Sequence, residues 1–484
     1  MRKFKSNPAG KQAQMTLDLP NLKRIEQDFD GGQVCSDGGL LLLRKADERL
    51  DLTAMASFAL ADNRRPDAVK HKTVDLLRQR IYAIAAGYED CNDANQLRFD
   101  AMHQLAVGKE TVLASQPSLS RFENQADSVT NAALQKLLIH TYVKRTRKAP
   151  RVLRLAMDTT CDEAYGRQQM IEFNGFYETY CFAPLFIFTE DGFPLCSLLR
   201  PGAANPIDDA IRMIKQVLRE IRLSWPNTRI ELTADAGFAS GQMFNALEDL
   251  GVTYFIAAAG HAGFAYHAQE TVYKCRKEFE EFGFTSPSLK KYGALKNTKE
   301  RKFALKRKEE AMRYATKEEG RMQELFEAEL HVKKYGEFRY AAREWRKDRR
   351  VIFRVDYTMT GPDTRFVVTN YEHGSPQKIY EDRYCPRCQC ENWIKDLKLY
   401  MHSGRTSCQE FEANQFRLFL HVFAYVLTWE IRKRAKLKAM TVETFRLQFL
   451  KIGVLVKSAQ RKISLHLASE FAWQIPFRIA WSET

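Results

Sequence analysis

The chain is short of acids relative to bases, sparing with cysteine, and without any long apolar run. Its 60 Asp and Glu face 75 Lys and Arg, a formal net charge of +15. That imbalance favours an anionic partner. Nucleic acid is the first expectation, because release of counterions from phosphates lets basic surfaces bind it at any sequence. An anionic membrane surface is the weaker expectation, since no basic amphipathic helix stands alone. Ten cysteines in 484 residues do not suggest a disulfide scaffold, and a reducing compartment would keep them as thiols. No apolar stretch reaches the length that spans a bilayer. The start, Met1-Arg2-Lys3-Phe4-Lys5, is basic but lacks the apolar core of a signal peptide, so an intracellular protein is expected. The histidines are scattered, and none sits with Ser or Cys in a motif for covalent catalysis.

What is present is ordinary in bulk. Hydrophobic residues make up 45% and charged residues 28%, as in a globular protein, and the length suits two to four domains. Residues 1–24 read as a basic mobile arm. Residues 25–148 show helical spacing throughout, as in Thr73–Ala86 with Val74, Leu77, Ile81 and Ile84 on one face. A short helix at Ser115–Glu123 bearing Arg121, followed by a longer one at Asp127–Tyr142, has the layout of a helix-turn-helix. An ordinary helical bundle explains the spacing equally well.

After Ala149-Pro150 the period becomes that of strands. Strands are expected at Val152–Met157, Tyr180–Thr189, Phe193–Leu199, Arg229–Ala234 and Val252–Ala257. Asp191-Gly192 is a hairpin turn signal, and helices are expected at Ile207–Leu223 and Gly241–Leu250. Strands joined by a helix imply parallel neighbours with a right-handed crossover. Residues 149–260 therefore form the first part of an α/β core. Residues 261–375 read as a mixed insertion, with a helix at Leu305–Ala315, strands at Phe338–Tyr340, Val351–Tyr357 and Phe366–Thr369, and a turn at Gly361-Pro362-Asp363. Residues 376–435 return to the core with helices at Tyr384–Met401 and Phe411–Arg432. Residues 436–484 form a C-terminal helical region, preceded by a basic stretch at 432–438 expected to face DNA or solvent.

Asp158 and Asp235 each follow a strand directly. Side chains at the carboxyl ends of neighbouring strands converge on one crevice. Two carboxylates there repel each other unless a cation lies between them, and Mg²⁺ accepts such hard oxygen ligands. Two ions roughly 3.5–4 Å apart would activate the attacking oxygen and stabilise the leaving one in phosphoryl transfer. An Asp at a strand end is more often a turn or helix cap than a ligand, so the surroundings of the third acid matter. Tyr384, Arg387 and Lys398 lie at −7, −4 and +7 from Glu391, which on an α-helix puts all four on one face. An Arg that forks onto phosphate oxygens and a Lys that adds a point charge suit a phosphodiester beside a metal-ligand carboxylate.

This Tyr384, Arg387, Glu391, Lys398 pattern resembles the Y-R-E-K signature of bacterial insertion-sequence transposases with a DDE catalytic core. Met157-Asp158-Thr159-Thr160 and Asp235-Ala236-Gly237-Phe238 are similar to that family's first and second acid motifs. Ser36-Asp37-Gly38-Gly39, Gly87-Tyr88-Glu89-Asp90, Ser115–Asn124 and Leu199-Arg200-Pro201-Gly202 resemble other segments of its group-1 DDE subgroup. The resemblance covers roughly residues 25–435. It implies an α/β fold with an RNase H-like catalytic core and an α/β insertion, preceded by an all-α DNA-binding domain and followed by C-terminal helices. It implies cut-and-paste transposition: nicking at terminal inverted repeats, then attack of a 3′-hydroxyl on target DNA. Asp158, Asp235 and Glu391 would be the catalytic metal ligands for two Mg²⁺, with Mn²⁺ as a substitute. Tyr384, Arg387, Lys398, Trp393 and Arg121 would contact DNA. The partners would be transposon ends, target DNA and a second copy of the chain, with no membrane, in the bacterial cytoplasm at the nucleoid. The alternative is a DNA-binding regulator that no longer cuts.

Cys388 stands where the family often has Gly. It forms a cluster with Cys385, Cys390 and Cys408. Four thiolates are a zinc set in principle, but a helical C-x₂-C-x-C aims its sulfurs apart, and neutral thiols are the expectation. Arg200 would either meet DNA or end a sheet. Trp345 and Trp393 would stack on an unpaired base or simply be half-buried.

Overall fold

A computed structural model describes residues 15–62, 64–164, 166–285, 331–358, 361–437 and 439–484. The helix expected at Leu305–Ala315, most of the expected N-terminal arm and Lys438 lie outside them. The chain divides into two compact units: residues 1–134 with 396–484, and residues 135–395.

The first unit is mainly helical. Its organising element is the helix Phe411–Arg434, in which every side chain from Ala413 to Arg432 is buried. A helix that is buried all round forms a core rather than a surface stripe. Its buried charges must then be paired. Arg417 donates to Glu123 at 2.6 Å, and Arg80 from the helix Thr73–Ala85 donates to the other oxygen at 2.6 Å. Arg432, expected to face DNA or solvent, instead reaches Asp396 at 3.2 Å and is buried. Short strands complete the unit. β1 (Met15–Leu17), in the segment expected to be a mobile arm, pairs with β2 (Ile25–Gln27), at the start of the segment expected to be helical. β3 (Gln33–Cys35) pairs with Val454–Ala459, which pairs in turn with Lys462–Leu467. The C-terminal region was expected to be helical. Val454 and Val456 bury on one side at strand period instead, and Gln460-Arg461 turns the chain back.

The second unit is built on one eight-stranded mixed sheet. Its strands are β4 (Val152–Thr159), β8 (Leu185–Thr189), β9 (Pro194–Leu198), β10 (Arg229–Ala234), β11 (Thr253–Ala258), β12 (Val332–Tyr340), β13 (Arg349–Thr358) and β14 (Gly361–Thr369). They lie in the order β12-β13-β14-β11-β10-β4-β8-β9. β10 runs parallel to both β4 and β11, while the remaining pairs are antiparallel. The helix Pro206–Ser224 makes the crossover into β10. Asn205 caps it by accepting from the Ile207 N–H at 2.9 Å. Ile207, Ala210, Met213, Ile214, Val217, Leu218 and Ile221 bury at the three-to-four spacing of an amphipathic helix.

Two strand expectations needed correcting. Tyr180–Thr189 is not one strand. Pro184 has no N–H for a ladder, and the chain breaks there into β7 (Thr179–Phe182) and β8. β7 joins β5 (Asp162–Glu163) and β6 (Glu172–Asn174) in a separate sheet of order β5-β7-β6. Gly361-Pro362-Asp363 is not the turn but the start of β14, with Pro362 opposite Tyr357. The three strands of the expected insertion extend the same sheet as the strands that carry the acids.

Glu123 ties the interior of the first unit. Burial alone would raise its carboxyl, but Arg80 and Arg417 outweigh that and hold it at about 2. Its depressed value means that its contribution is full above the usual glutamate range and is lost as pH falls through it towards about 2. Glu123→Gln would leave two buried guanidinium groups uncompensated and should cost about 3–5 kcal/mol. The check is the denaturant midpoint at pH 7, where an unchanged midpoint would refute this pairing.

Candidate active site

The site begins with sheet register. In the parallel pair β4–β10, Met157 lies opposite Ala234. The next residues, Asp158, which lies inside β4 rather than after it, and Asp235, directly after β10, therefore lie abreast and on one side. Each is held locally. Asp158 accepts from the Thr159 N–H at 2.9 Å, and Asp235 accepts from the Gly237 N–H at 3.1 Å, capping the turn Ala236–Phe238.

Electrostatics make this pair unusual. Burial, with repulsion from Asp235 and Glu391, pushes the Asp158 carboxyl up to about 6 against the pull of Arg387. Burial raises Asp235 as well. Neither acid is comfortable as an anion, so the pair calls for positive charge. Arg387 supplies part of it. It donates to Asp158 Oδ2 at 2.8 Å, and its other terminal nitrogen lies 3.7 Å from Glu391 Oε1. Its side chain is 13% exposed, whereas that of Glu391 is 67% exposed. The acids in turn raise the guanidinium's own pKa against its burial.

The segment carrying Arg387 and Glu391 is not the single regular helix expected at Tyr384–Met401. Tyr380–Tyr384 is a π-helical turn in which the Cys385 N–H donates five residues back to Tyr380. Cys385–Arg387 is a 3₁₀ turn, and Cys388–Lys395 is α-helical. Pro386 supplies the reason, because it has no N–H to continue an i to i−4 ladder. Arg383 anchors the segment by donating to Glu231 on β10 at 3.1 Å, and Tyr335 donates to Glu381 at 2.7 Å.

The structure gives each expected site residue a position. Asp158, Asp235, Arg387 and Glu391 come together. Tyr384 lies close enough to Arg387 to raise its pKa and packs its ring 5.5 Å from that of Tyr380. Trp393 lies against Phe188 at 5.4 Å, over Gly192. Gly192 has φ +85°, and a Cβ there would meet the Trp393 ring at 2.7 Å, so both the turn and the close approach require glycine. Lys398 falls in the first unit, on the π-helical stretch Asp396–Tyr400. Arg121 is exposed on the first unit's helix Gln116–Glu123. Arg200 is buried and donates to the Ala183 carbonyl at 2.9 Å, which ties a loop to the sheet. Trp345 packs on Phe244 and beneath Arg349.

Sequence reasoning missed Tyr177. Burial, together with Cys161, Asp158 and Asp235, raises its hydroxyl pKa, which marks it as a neighbour of the acids. No spacing signal in the sequence linked it to the acids. Burial raises the thiols of Cys385, Cys390 and Cys408, and Asp158 adds to the rise at Cys390.

Among the described residues, no three His, Cys, Asp or Glu side chains converge as a ready-made metal site. The donor set nevertheless fits a hard divalent cation. Asp158 presents a buried carboxylate and Asp235 a half-buried one, and both ionised forms lack sufficient counter-charge. Arg387 partly fills that need, and the exposed Glu391 is held only at its 3.7 Å contact.

Comparison with known proteins agrees with this chemistry. Residues 18–483 match the family model described as transposase DDE domain group 1. A solved structure of piggyBac transposase, in a synaptic complex with hairpin DNA, is similar at 10% identity with a TM-score of 0.39. The alignment covers 86% of this chain and 79% of that one. No curated relative matches the chain.

The raised Asp158 carboxyl is directly observable. Difference infrared spectra of metal-free protein should show a protonated-carboxyl band that disappears as pH rises through about 6 and is absent in Asp158→Asn. Because Arg387 lowers this carboxyl, Arg387→Met should move the transition to higher pH. A band already lost below pH 5 would contradict this electrostatic balance.

Proposed function

We propose, from the premise that this chain belongs to the transposase DDE domain group 1 family, that it moves a bacterial insertion sequence by cut-and-paste transposition. As a DDE transposase it is a DNA-cleaving enzyme. The observation that carries the proposal is the abreast placement of Asp158 and Asp235 with Arg387 reaching from the first towards Glu391. On this reading the sheet is the core of an RNase H-like domain, and the helical unit and the segment 261–375 hold DNA.

Each residue then has a role that its chemistry suits. Asp158 and Asp235 hold divalent metal, taken to be Mg²⁺ with Mn²⁺ as a substitute, and Glu391 completes the set. Bound metal lowers the pKa of the attacking water or 3′-hydroxyl and neutralises charge on the leaving oxygen. The chain therefore needs no general base of its own. Arg387 has donors enough to keep Asp158 and also grip a phosphate oxygen. Tyr384 orients it. Lys398, Trp393 and Arg121 are proposed as further DNA contacts at the terminal inverted repeats or target. Two copies of the chain would bring two ends together, in the cytoplasm at the nucleoid. The full acid set gives no support to a regulator that no longer cuts.

Asp158→Asn and Glu391→Gln should each lower Mg²⁺-dependent nicking of an oligonucleotide carrying the element's terminal repeat by at least about 10³-fold, the scale of several kcal/mol. Binding of the same oligonucleotide should persist. Full cleavage by either variant would overturn the assignment.

A further inference from the structure

The small sheet beside the acids carries an unusual surface. β6 and β7 form a hairpin in which Phe173 lies opposite Tyr180. Phe173 is 51% exposed, Tyr180 60% and Phe176 87%. Three large aromatic rings on one eight-residue hairpin stand open to solvent, where single exposed apolar residues are the norm and grouped ones mark a binding surface.

The hairpin is held rigidly. Asn174 Oδ1 accepts from the N–H groups of Phe176 at 2.9 Å and Tyr177 at 3.1 Å, which fixes the turn. Asn174 Nδ2 donates to the Gly202 carbonyl at 2.7 Å, and the Glu172 carboxylate accepts from the Ala203 N–H at 3.1 Å. A Cβ at Gly202 would collide with the carbonyls of Glu172 and Cys181, so the Pro201-Gly202 loop lies directly against the hairpin. Phe176 is thus presented by an ordered turn.

The hairpin also leads to the acids. β7 pairs with β5, whose Asp162 follows Asp158 four residues along the chain, and β7 runs on towards β8, where Phe186 pairs with Asp158. The ring of Phe176 stands edge-on to that of Tyr177 at 5.0 Å, and Phe173 meets Tyr180 at 5.5 Å in the same manner. The hairpin turn therefore lies near the carboxylates, which act on Tyr177, and Tyr177 is in contact with the exposed ring of Phe176.

We propose that this hairpin is a stacking platform for unpaired bases of the DNA strand whose phosphate lies at Arg387 and the metal that Asp158 and Asp235 would hold. The inference rests on the DNA-cleaving reading of that site. A phosphate drawn to Arg387 and to the divalent ion that the acids would hold would leave its neighbouring bases beside the hairpin, and aromatic faces take any base without reading its sequence. The stacking offsets the cost of unpairing the duplex next to the cut. The net charge of +15 suits the same partner.

The test uses the full-length protein in EDTA with a 20-nucleotide oligothymidine carrying one central 2-aminopurine, and a duplex of matched length. Wild type should bind the single strand and quench the 2-aminopurine. Phe176→Ala, and separately Phe173→Ala with Tyr180→Ala, should bind it at least about fivefold more weakly and lose the quench, because stacking on an aromatic contributes at that scale. Duplex binding and the salt dependence of binding should stay as in wild type, since phosphate contacts set the latter. Unchanged quenching in the variants overturns the platform, as does equal loss of duplex and single-strand binding. Self-association abolished by Phe176→Ala with DNA binding intact also overturns it, in favour of a protein interface. Asp158→Asn should quench as wild type does. A wild type that quenches but never nicks with Mg²⁺ refutes the cleavage reading while supporting the platform.

Discussion

Everything at the site follows from two carboxylates on neighbouring strands, one buried and one half-buried. The parallel register of β4 and β10 makes Asp158 and Asp235 neighbours whether or not they repel. Burial then makes the repulsion costly, because a charge removed from water needs a partner. Arg387 is that partner in the free protein, at 2.8 Å from Asp158. A guanidinium cannot neutralise two or three acids, so the raised carboxyl of Asp158 persists. That residual demand for positive charge is what would make the site a receptor for a divalent ion and, beyond it, a phosphate.

The same logic is solved differently in the first unit. Glu123 meets two guanidinium groups, and the surplus positive charge holds it ionised at about 2. Three acids against one Arg give a responsive site, and one acid against two Arg gives a structural clamp. The ratio of charges, more than their burial, separates the two.

Much of this was legible in the sequence. Asp158 and Asp235 could be placed because each ends a run of strand period, and strand ends converge. Glu391 and Arg387 could be placed because a four-residue offset brings side chains together on a helix, and their 3.7 Å contact has that form. What was not legible depends on single backbone atoms or on long-range pairing. Pro386 breaks the expected helix into π and 3₁₀ turns through one missing N–H. Pro184 sends Thr179–Phe182 into a different sheet from Leu185–Thr189. The tail strand at Val454 pairs with Gln33–Cys35, more than 400 residues away, and no local pattern announces such a partner. Tyr177 comes under the influence of Asp158 and Asp235 only because that small sheet, through β5 and β7, adjoins the strands β4 and β8.

The central claim is that Asp158 and Asp235 together hold the divalent ion that cuts DNA. Anomalous scattering from crystals grown with Mn²⁺ and a DNA end tests it most directly. A peak within coordination distance of carboxylate oxygens from both residues, at about 2.0–2.6 Å for hard oxygen ligands, is the predicted result. Mn²⁺ bound elsewhere, with Arg387 still occupying the space between the acids, would contradict it.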